Sequence, residues 1–173
     1  MGSEMCIRDR NMDDAQTALS SFGQFDVRVT PLQMALITAA IANGGKQMNP
    51  NLIENVQSSN LALLSQTVPS EFGTPISKAT ADGLKKMMIA AVASGVSTNG
   101  AVPGTVVAGK TGTAQNGTKA PYTLWFAGFA PAENPQVAVV VMVADGGGMG
   151  QGGSGNILAA PIARKVIQAV LNR

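Results

Sequence analysis

The chain has 173 residues, enough for one ordinary domain with a sizeable core, and only 13% of them are charged. It contains no histidine and one cysteine. These counts exclude Ser-His-Asp and Cys-His catalysis, histidine-ligated metal sites and an internal disulfide. The net charge of +2 comes without a lysine or arginine cluster, so nothing points to nucleic acid or an anionic membrane as a partner. No apolar stretch reaches the ~18–20 residues that span a bilayer.

Residues 1–10 fit nothing that follows and are interpreted as a non-native or artefactual leader, so the domain is expected over residues 11–173. A first helix is predicted where Thr30 and Gln33 form a Thr-x-x-Gln capping box and Pro31 occupies the first helical position. Its body, residues 32–42, is apolar nearly all round, which predicts a buried helix.

A short extended segment is predicted at residues 48–56 and a loop or irregular edge at 57–75. Ser77 can cap a second helix. Its apolar positions follow the helical period, which predicts a core-facing stripe. The stripe consists of Leu84, Met87, Met88, Ala91 and Val92.

Three strands are predicted over residues 105–113, 123–130 and 136–144, separated by short links rich in turn residues. Short links favour antiparallel neighbours, and therefore a β-meander. A last helix follows the glycine-rich loop 146–155, with an apolar stripe of Leu158, Ile162, Val166, Ile167, Val170 and Leu171. This order predicts an α+β domain in which helices pack on an antiparallel sheet.

Residues 104–111 (GTVVAGKT) match the P-loop pattern G-x-x-x-x-G-K-[ST], and Asp145 follows an apolar strand as a Walker B aspartate would. A P-loop needs a strand, a glycine loop and then a helix. Residues 105–108 favour a strand instead, and Gly112, Gly117 and Pro121 disfavour a helix after Lys110. Nucleotide binding is therefore kept only as an alternative.

In the other interpretation the motif is a strand at the edge of a cleft. Alternation then puts Lys110 and Gly112 on one face and Thr111 and Thr113 on the other. Lys110 offers a fixed cation, the threonine hydroxyls can bind a carboxylate, and Gly112 leaves room for a substrate backbone. A free N–H can face a developing oxyanion. K-T-G is a motif of penicillin-binding proteins and β-lactamases.

Five ordered stretches resemble the C-terminal part of the transpeptidase domain of class B penicillin-binding proteins, most closely the penicillin-binding protein A type. They are FGQ at 22–24, VTPLQMA at 29–35, IANGG at 41–45, AGKTGTAQ at 108–115 and WFAGFAP at 125–131. The resemblance implies a partial β-lactamase/transpeptidase-like fold. It also implies a serine D,D-transpeptidase that cross-links peptidoglycan stem peptides through an acyl-enzyme and takes β-lactams in the same site.

For individual residues, the resemblance implies that Lys110 shapes the electrostatics of the site and that the Thr113 N–H forms half of an oxyanion hole. These two are the candidate catalytic residues. Lys110, Thr111, Gly112 and Thr113 are the candidate substrate-binding residues. No cofactor or metal is implied, and proteins of cell-wall synthesis stay open as partners.

The chain departs from the family in one respect, because no serine has a lysine three residues on and the S-x-x-K nucleophile is therefore missing. Ser58-Ser59-Asn60 and Ser97-Thr98-Asn99 match S-x-N but follow the Thr30 stretch, whereas the family's S-x-N precedes it. Both are interpreted as chance matches in polar loops. We expect a truncated sequence, which would expose the apolar faces of the first helix and the sheet.

On this expectation the chain alone is not acylated by penicillin. The nucleophile and a membrane anchor would lie upstream, and the full-length protein would act at the extracytoplasmic face of the cell membrane. A D,D-carboxypeptidase or β-lactamase on the same fold, a P-loop NTPase and a non-catalytic structural fragment are the alternatives.

Overall fold

The computed structural model describes residues 12–25 and 27–172, so the proposed leader lies outside the described residues. The described part is α+β, as predicted. In chain order its helices and strands are α1 (Asp14–Ser21), α2 (Pro31–Ala42), β1 (Gln47–Met48), β2 (Asn55–Gln57), β3 (Leu63–Gln66), β4 (Glu71–Gly73), α3 (Lys78–Ala93), β5 (Ala108–Ala114), β6 (Thr123–Ala130), β7 (Val137–Val143) and α4 (Ala160–Leu171).

The main sheet is an antiparallel meander in the order β5-β6-β7, which confirms the predicted arrangement. β6 has the predicted bounds, and β7 is one residue shorter at each end. β5 begins at Ala108, three residues later than predicted. The reason is a tight turn, in which Thr105 bridges back to Val102 around Gly104 with a φ of +75°.

Helices cover both faces of this sheet. On one face α4 packs on Phe126, whose side chain is fully buried in a cluster with Val92 of α3 and Ile167 of α4. On the other face α2 packs near Phe129, in a second cluster that includes Met88 of α3. The sheet is therefore the middle layer, and α3 contributes to both cores.

The cap of α2 is the predicted one, since the Thr30 hydroxyl accepts the Gln33 N–H and the Gln33 side chain accepts the Thr30 N–H. Its burial was predicted wrongly. Only Thr38 and Ala40 of this helix are buried, and Leu32 is 59% exposed. The helix packs through one side on the sheet and leaves the other apolar side open.

Apolar residues on α3 and α4 are also more exposed than their spacing predicts. Met88 is buried, but its neighbour Met87 is 63% exposed. On α4 the fully buried positions are Ala160, Ala163 and Ile167, whereas Ile162 is 46% exposed. The alanines bring the helix close to the sheet, so the larger side chains on its flanks extend beyond the contact.

Residues 47–73 form two small sheets, β1 with β4 and β2 with β3, where a loop was predicted over most of this range. These strands have only two to four residues and are exposed on nearly every position. They therefore lack the alternation that marks a half-buried strand. No helix in residues 12–25 and 27–172 is long and apolar enough to cross a membrane.

Candidate active site

The K-T-G motif lies in the middle of β5, which is an edge strand because it pairs only with β6 in its sheet. The strand continues to Ala114, so no helix begins after Lys110. The P-loop interpretation is therefore wrong. The four residues before Gly109 do not wrap around an anion, since Thr105 closes a tight turn with Val102 and the next three lead straight into the strand, which begins at Ala108.

The register of β5 on β6 fixes which way the motif side chains point. Thr111 lies opposite Phe126, whose side chain is on the buried face under α4. Lys110 and Gly112 lie opposite Ala127 and Trp125 and share the other face. The predicted alternation is confirmed, and Trp125 lies on the open face while Phe126 belongs to the core.

Along the free edge of β5, some backbone N–H groups donate a hydrogen bond to a side chain and others do not. The Thr111 N–H donates to Ser97 Oγ over 3.1 Å, and the Gln115 N–H donates to Gln24 Oε1 over 3.4 Å. Because N–H directions alternate along a strand, the Thr113 N–H between them also points away from β6. No side chain in the described parts of the chain accepts it. This is the position of the expected oxyanion donor.

The charged and hydroxyl groups of the motif gather at the same edge. Lys110 Nζ donates to the Thr111 carbonyl oxygen over 2.7 Å, which holds the cation beside the strand. The Thr113 side chain is exposed. The Thr111 hydroxyl differs, because it lies 3.3 Å from the Val96 carbonyl oxygen and 3.3 Å from Ser97 Oγ. The Thr113 hydroxyl is therefore more available to a ligand than the Thr111 hydroxyl.

Gly112 and Gly109 lack side chains for different reasons. A Cβ built on Gly109 would lie 2.5 Å from Phe126 Cζ, so the core excludes one there. A Cβ on Gly112 would meet only Trp125, at an ordinary contact of 3.4 Å. The protein's own packing therefore leaves room at residue 112, and the absence of a side chain keeps the cleft open.

A cavity of about 530 Å³ lies along this strand, closed on its far side by residues 22–24, residues 27–29 and the start of α2. Lys110, Thr113 and Trp125 line one wall, and Phe22 and Met34 line the other. A second cavity of about 740 Å³ continues past the end of β5 and shares Phe22 and Gln24 with the first. A volume of several hundred cubic ångströms is typical of a ligand pocket.

Two polar residues of the site were not predicted from the sequence. Gln24 was named only within the FGQ stretch that resembles the family, and Ser97 was interpreted as part of a chance S-x-N match in a polar loop. Ser97 is instead fully buried against the motif strand. Neither residue carries a local signal for this role, because their partners lie 91 and 14 residues away in the chain.

No group of three acidic, cysteine or histidine side chains that could hold a metal ion occurs within residues 12–25 and 27–172. The motif strand offers a fixed cation, hydroxyl groups and a backbone donor at one open edge. Such an arrangement binds a carboxylate and stabilises an oxyanion in acyl transfer.

Comparison with known proteins agrees with this chemistry. The family model of the penicillin binding protein transpeptidase domain matches residues 7–168. Peptidoglycan D,D-transpeptidase PbpA of Mycolicibacterium smegmatis is 42% identical over 163 residues, which cover 92% of this chain and 33% of that protein.

Solved structures give the same result. The ceftriaxone acyl-enzyme complex of penicillin-binding protein A from M. tuberculosis matches with a TM-score of 0.85 at 42% identity, covering 92% of this chain and 36% of that one. Its penicillin G acyl-enzyme complex matches with a TM-score of 0.79 at 40% identity and the same coverage. The chain spans about a third of the length of these relatives.

Proposed function

The chain belongs to the penicillin-binding protein transpeptidase domain family, and from this premise we propose that it forms the K-T-G wall of a serine D,D-transpeptidase. The enzyme would cross-link peptidoglycan stem peptides by acyl transfer. The observation that carries the proposal is the free edge of β5, where the Thr113 N–H points outward beside the Lys110 cation, along a cavity of about 530 Å³.

The proposed reaction has two steps. The hydroxyl oxygen of a serine outside these residues attacks the carbonyl carbon between the two terminal D-alanines and forms an ester, while the C–N bond breaks and the serine proton passes to the amine of the departing D-alanine. An acceptor amine then attacks the ester carbon and forms a new amide, and a proton from that amine returns to the serine oxygen as it leaves. In each step the carbonyl oxygen becomes negatively charged, and the Thr113 N–H would stabilise it. One such donor is worth about 2.7–4 kcal/mol in acyl-transfer enzymes.

The other motif residues would hold the terminal carboxylate of the substrate. Lys110 supplies the positive charge, and the exposed Thr113 hydroxyl supplies a donor. Thr111 can join only by exchanging its contact with the Val96 carbonyl oxygen for one with the carboxylate. Gly112 lets the substrate backbone approach the strand.

β-Lactams would bind in the same place, since their carboxylate and strained amide present the same two groups. The matching M. tuberculosis structures are acyl-enzyme complexes of ceftriaxone and penicillin G, which supports this step. Because the substrate lies in the cell wall, the protein would act at the extracytoplasmic face of the membrane. An N-terminal anchor outside these residues would hold it there, among other proteins of cell-wall synthesis.

Labelling with a fluorescent penicillin tests the proposal. The 173 residues contain no S-x-x-K, so the chain alone should stay unlabelled, whereas a protein that joins it to its own S-x-x-K segment should be labelled. Lys110→Ala should reduce that labelling without unfolding the protein, because the Lys110 side chain is exposed. Lys165→Ala, an exposed lysine on α4, is the matched control.

Two results would contradict the proposal. One is a joined protein that takes no label at all, and the other is full labelling of the Lys110→Ala variant. Labelling of the 173-residue chain by itself would show instead that the nucleophile lies within it.

A further inference from the structure

Ser97 lies in a turn, where a polar side chain is expected to be exposed, yet it is buried. Its side chain is fully buried, and Thr38 is the other polar residue buried to this degree among those described. A buried hydroxyl must find hydrogen-bond partners. Thr38 finds one in its own helix, the Met34 carbonyl oxygen. The partner of Ser97 is in β5, 14 residues further along the chain.

Three hydrogen bonds connect this turn to Thr111. The Thr111 N–H donates to Ser97 Oγ over 3.1 Å, and the Ser97 hydroxyl donates to Thr111 Oγ1 over 3.3 Å. The Thr111 hydroxyl in turn donates to the Val96 carbonyl oxygen over 3.3 Å. The turn thus takes the place of a neighbouring strand at this one residue of the free edge.

The turn is itself held on two sides. The Ser97 N–H donates to the Ala91 carbonyl oxygen near the end of α3, over 2.9 Å. Asn99 donates its N–H and its side-chain amide to Asn156, each over 3.0 Å. The next residue to Asn156, Gly155, lies so close to β5 that a Cβ on it would be 3.1 Å from Thr111 Cβ. Thr111 is therefore fixed between two anchored segments.

From this arrangement we infer that Ser97 is a positioning residue for acyl transfer, an inference that rests on the proposed function. It acts through Thr111, which it holds in place at the free edge of β5. The next outward N–H is that of Thr113, two residues or about 6.8 Å along the strand. An oxyanion donor works only within about 2.7–3.1 Å of the oxygen it stabilises. Fixing Thr111 therefore sets the direction of the Thr113 N–H.

The test compares Ser97→Ala with Ser94→Ala, an exposed serine in the same connection, in the joined protein of the labelling experiment. The rate constant of acylation by penicillin G and the dissociation constant of the preceding complex are measured separately. Ser97→Ala should lower the rate constant about tenfold and change the dissociation constant less than about twofold, since the donor acts in the transition state. Ser94→Ala should change neither.

Ser97→Cys covers the case in which the alanine variant fails to fold. The cysteine side chain is similar in size to that of serine but forms only weak hydrogen bonds. The Ser97→Cys variant should therefore show the same loss of acylation rate. Amide hydrogen exchange, measured by NMR on the 173-residue chain, should become faster at Thr111 in both variants.

Failure of the proposed function and failure of this inference look different. If the wild-type joined protein takes no penicillin, both are overturned. If it does and the Ser97 variants react at the wild-type rate, the inference alone is overturned. The inference is also overturned if the variants lose affinity and acylation rate to the same extent and their unfolding midpoint falls in parallel. Ser97 would then only stabilise the core.

Discussion

Substituting Gly112 by alanine separates a structural from a functional need for glycine at the centre of the K-T-G strand. The new Cβ would lie 3.4 Å from Trp125 Cβ and 4.0 Å from its Cγ, both ordinary contacts. The backbone there is not in the left-handed region, so alanine is not strained. Glycine within a strand costs roughly 0.5–1 kcal/mol relative to alanine. The free energy of unfolding should therefore stay the same or rise by up to about 1 kcal/mol.

Activity should change in the opposite direction. The methyl group adds a bond of about 1.5 Å on the cleft face of the strand and moves a bound substrate backbone away from the Thr113 N–H. A displacement of about 1 Å can cost ~100-fold in rate. We expect penicillin acylation of the joined protein to slow about 100-fold, which corresponds to about 2.7 kcal/mol.

Gly73→Ala is the matched control for this variant. It also lies in a strand, has open space around its Cβ position and needs no left-handed backbone. Urea denaturation of the 173-residue chain gives the stability of both variants, and stopped-flow labelling of the joined protein gives their rates. The reasoning is refuted if Gly112→Ala loses more than about 1 kcal/mol of stability, or if it reacts as fast as Gly73→Ala.

Three further predictions concern the fold. Gly109→Ala should destabilise the chain by about 1–3 kcal/mol in urea denaturation, because its Cβ would lie 2.5 Å from the Phe126 ring. Ile167→Ala should cost about 2–5 kcal/mol by the same measurement, because this side chain is fully buried between α4 and the sheet. Lys78→Ala should raise the pKa of Asp82 in an NMR titration, because the hydrogen bond from Lys78 holds that pKa below its ordinary value.

Each of these has an internal comparison. The Gly109 prediction is contradicted if the Gly109→Ala variant is as stable as the Gly73→Ala variant. Ile162→Ala, on the exposed flank of α4, should cost much less than Ile167→Ala, and equal costs would contradict the assigned face. For Asp82 the ionised form is favoured in the folded state, so any stabilisation is present above its ordinary pKa and lost as the pH falls through the lowered value. An unchanged pKa would show that Lys78 does not cause the shift.

Local signals in the sequence predicted the elements that carry the site. The Thr30 and Ser77 caps were predicted because the side chain and the N–H that it accepts lie three residues apart. The three strands of the main sheet were predicted because β-favouring residues concentrate between turn residues. Apart from the extended segment at residues 48–56, which overlaps parts of β1 and β2, the two small sheets were not predicted, because their strands are short and exposed and neither periodicity nor composition marks them.

Burial was predicted less well than secondary structure. Spacing assigned Met87 and Met88 alike to the core, yet only Met88 contacts it. The spacing of apolar residues shows which side of a helix faces the core, but it can misplace the edge of that side by about one residue. Where that face meets its neighbour depends on how closely the two elements pack, as the buried alanines of α4 show.

The sequence by itself determined that residues 109–113 form a strand and which of their side chains share a face, because the β propensity of the residues before Lys110 and the two-residue period are local properties. Only the tertiary structure decided which backbone groups of that strand stay open. Ser97 and Gln24 occupy the N–H groups on either side of Thr113, and both come from distant parts of the chain. Contacts between distant segments form only when the layers pack, so no local pattern could predict them.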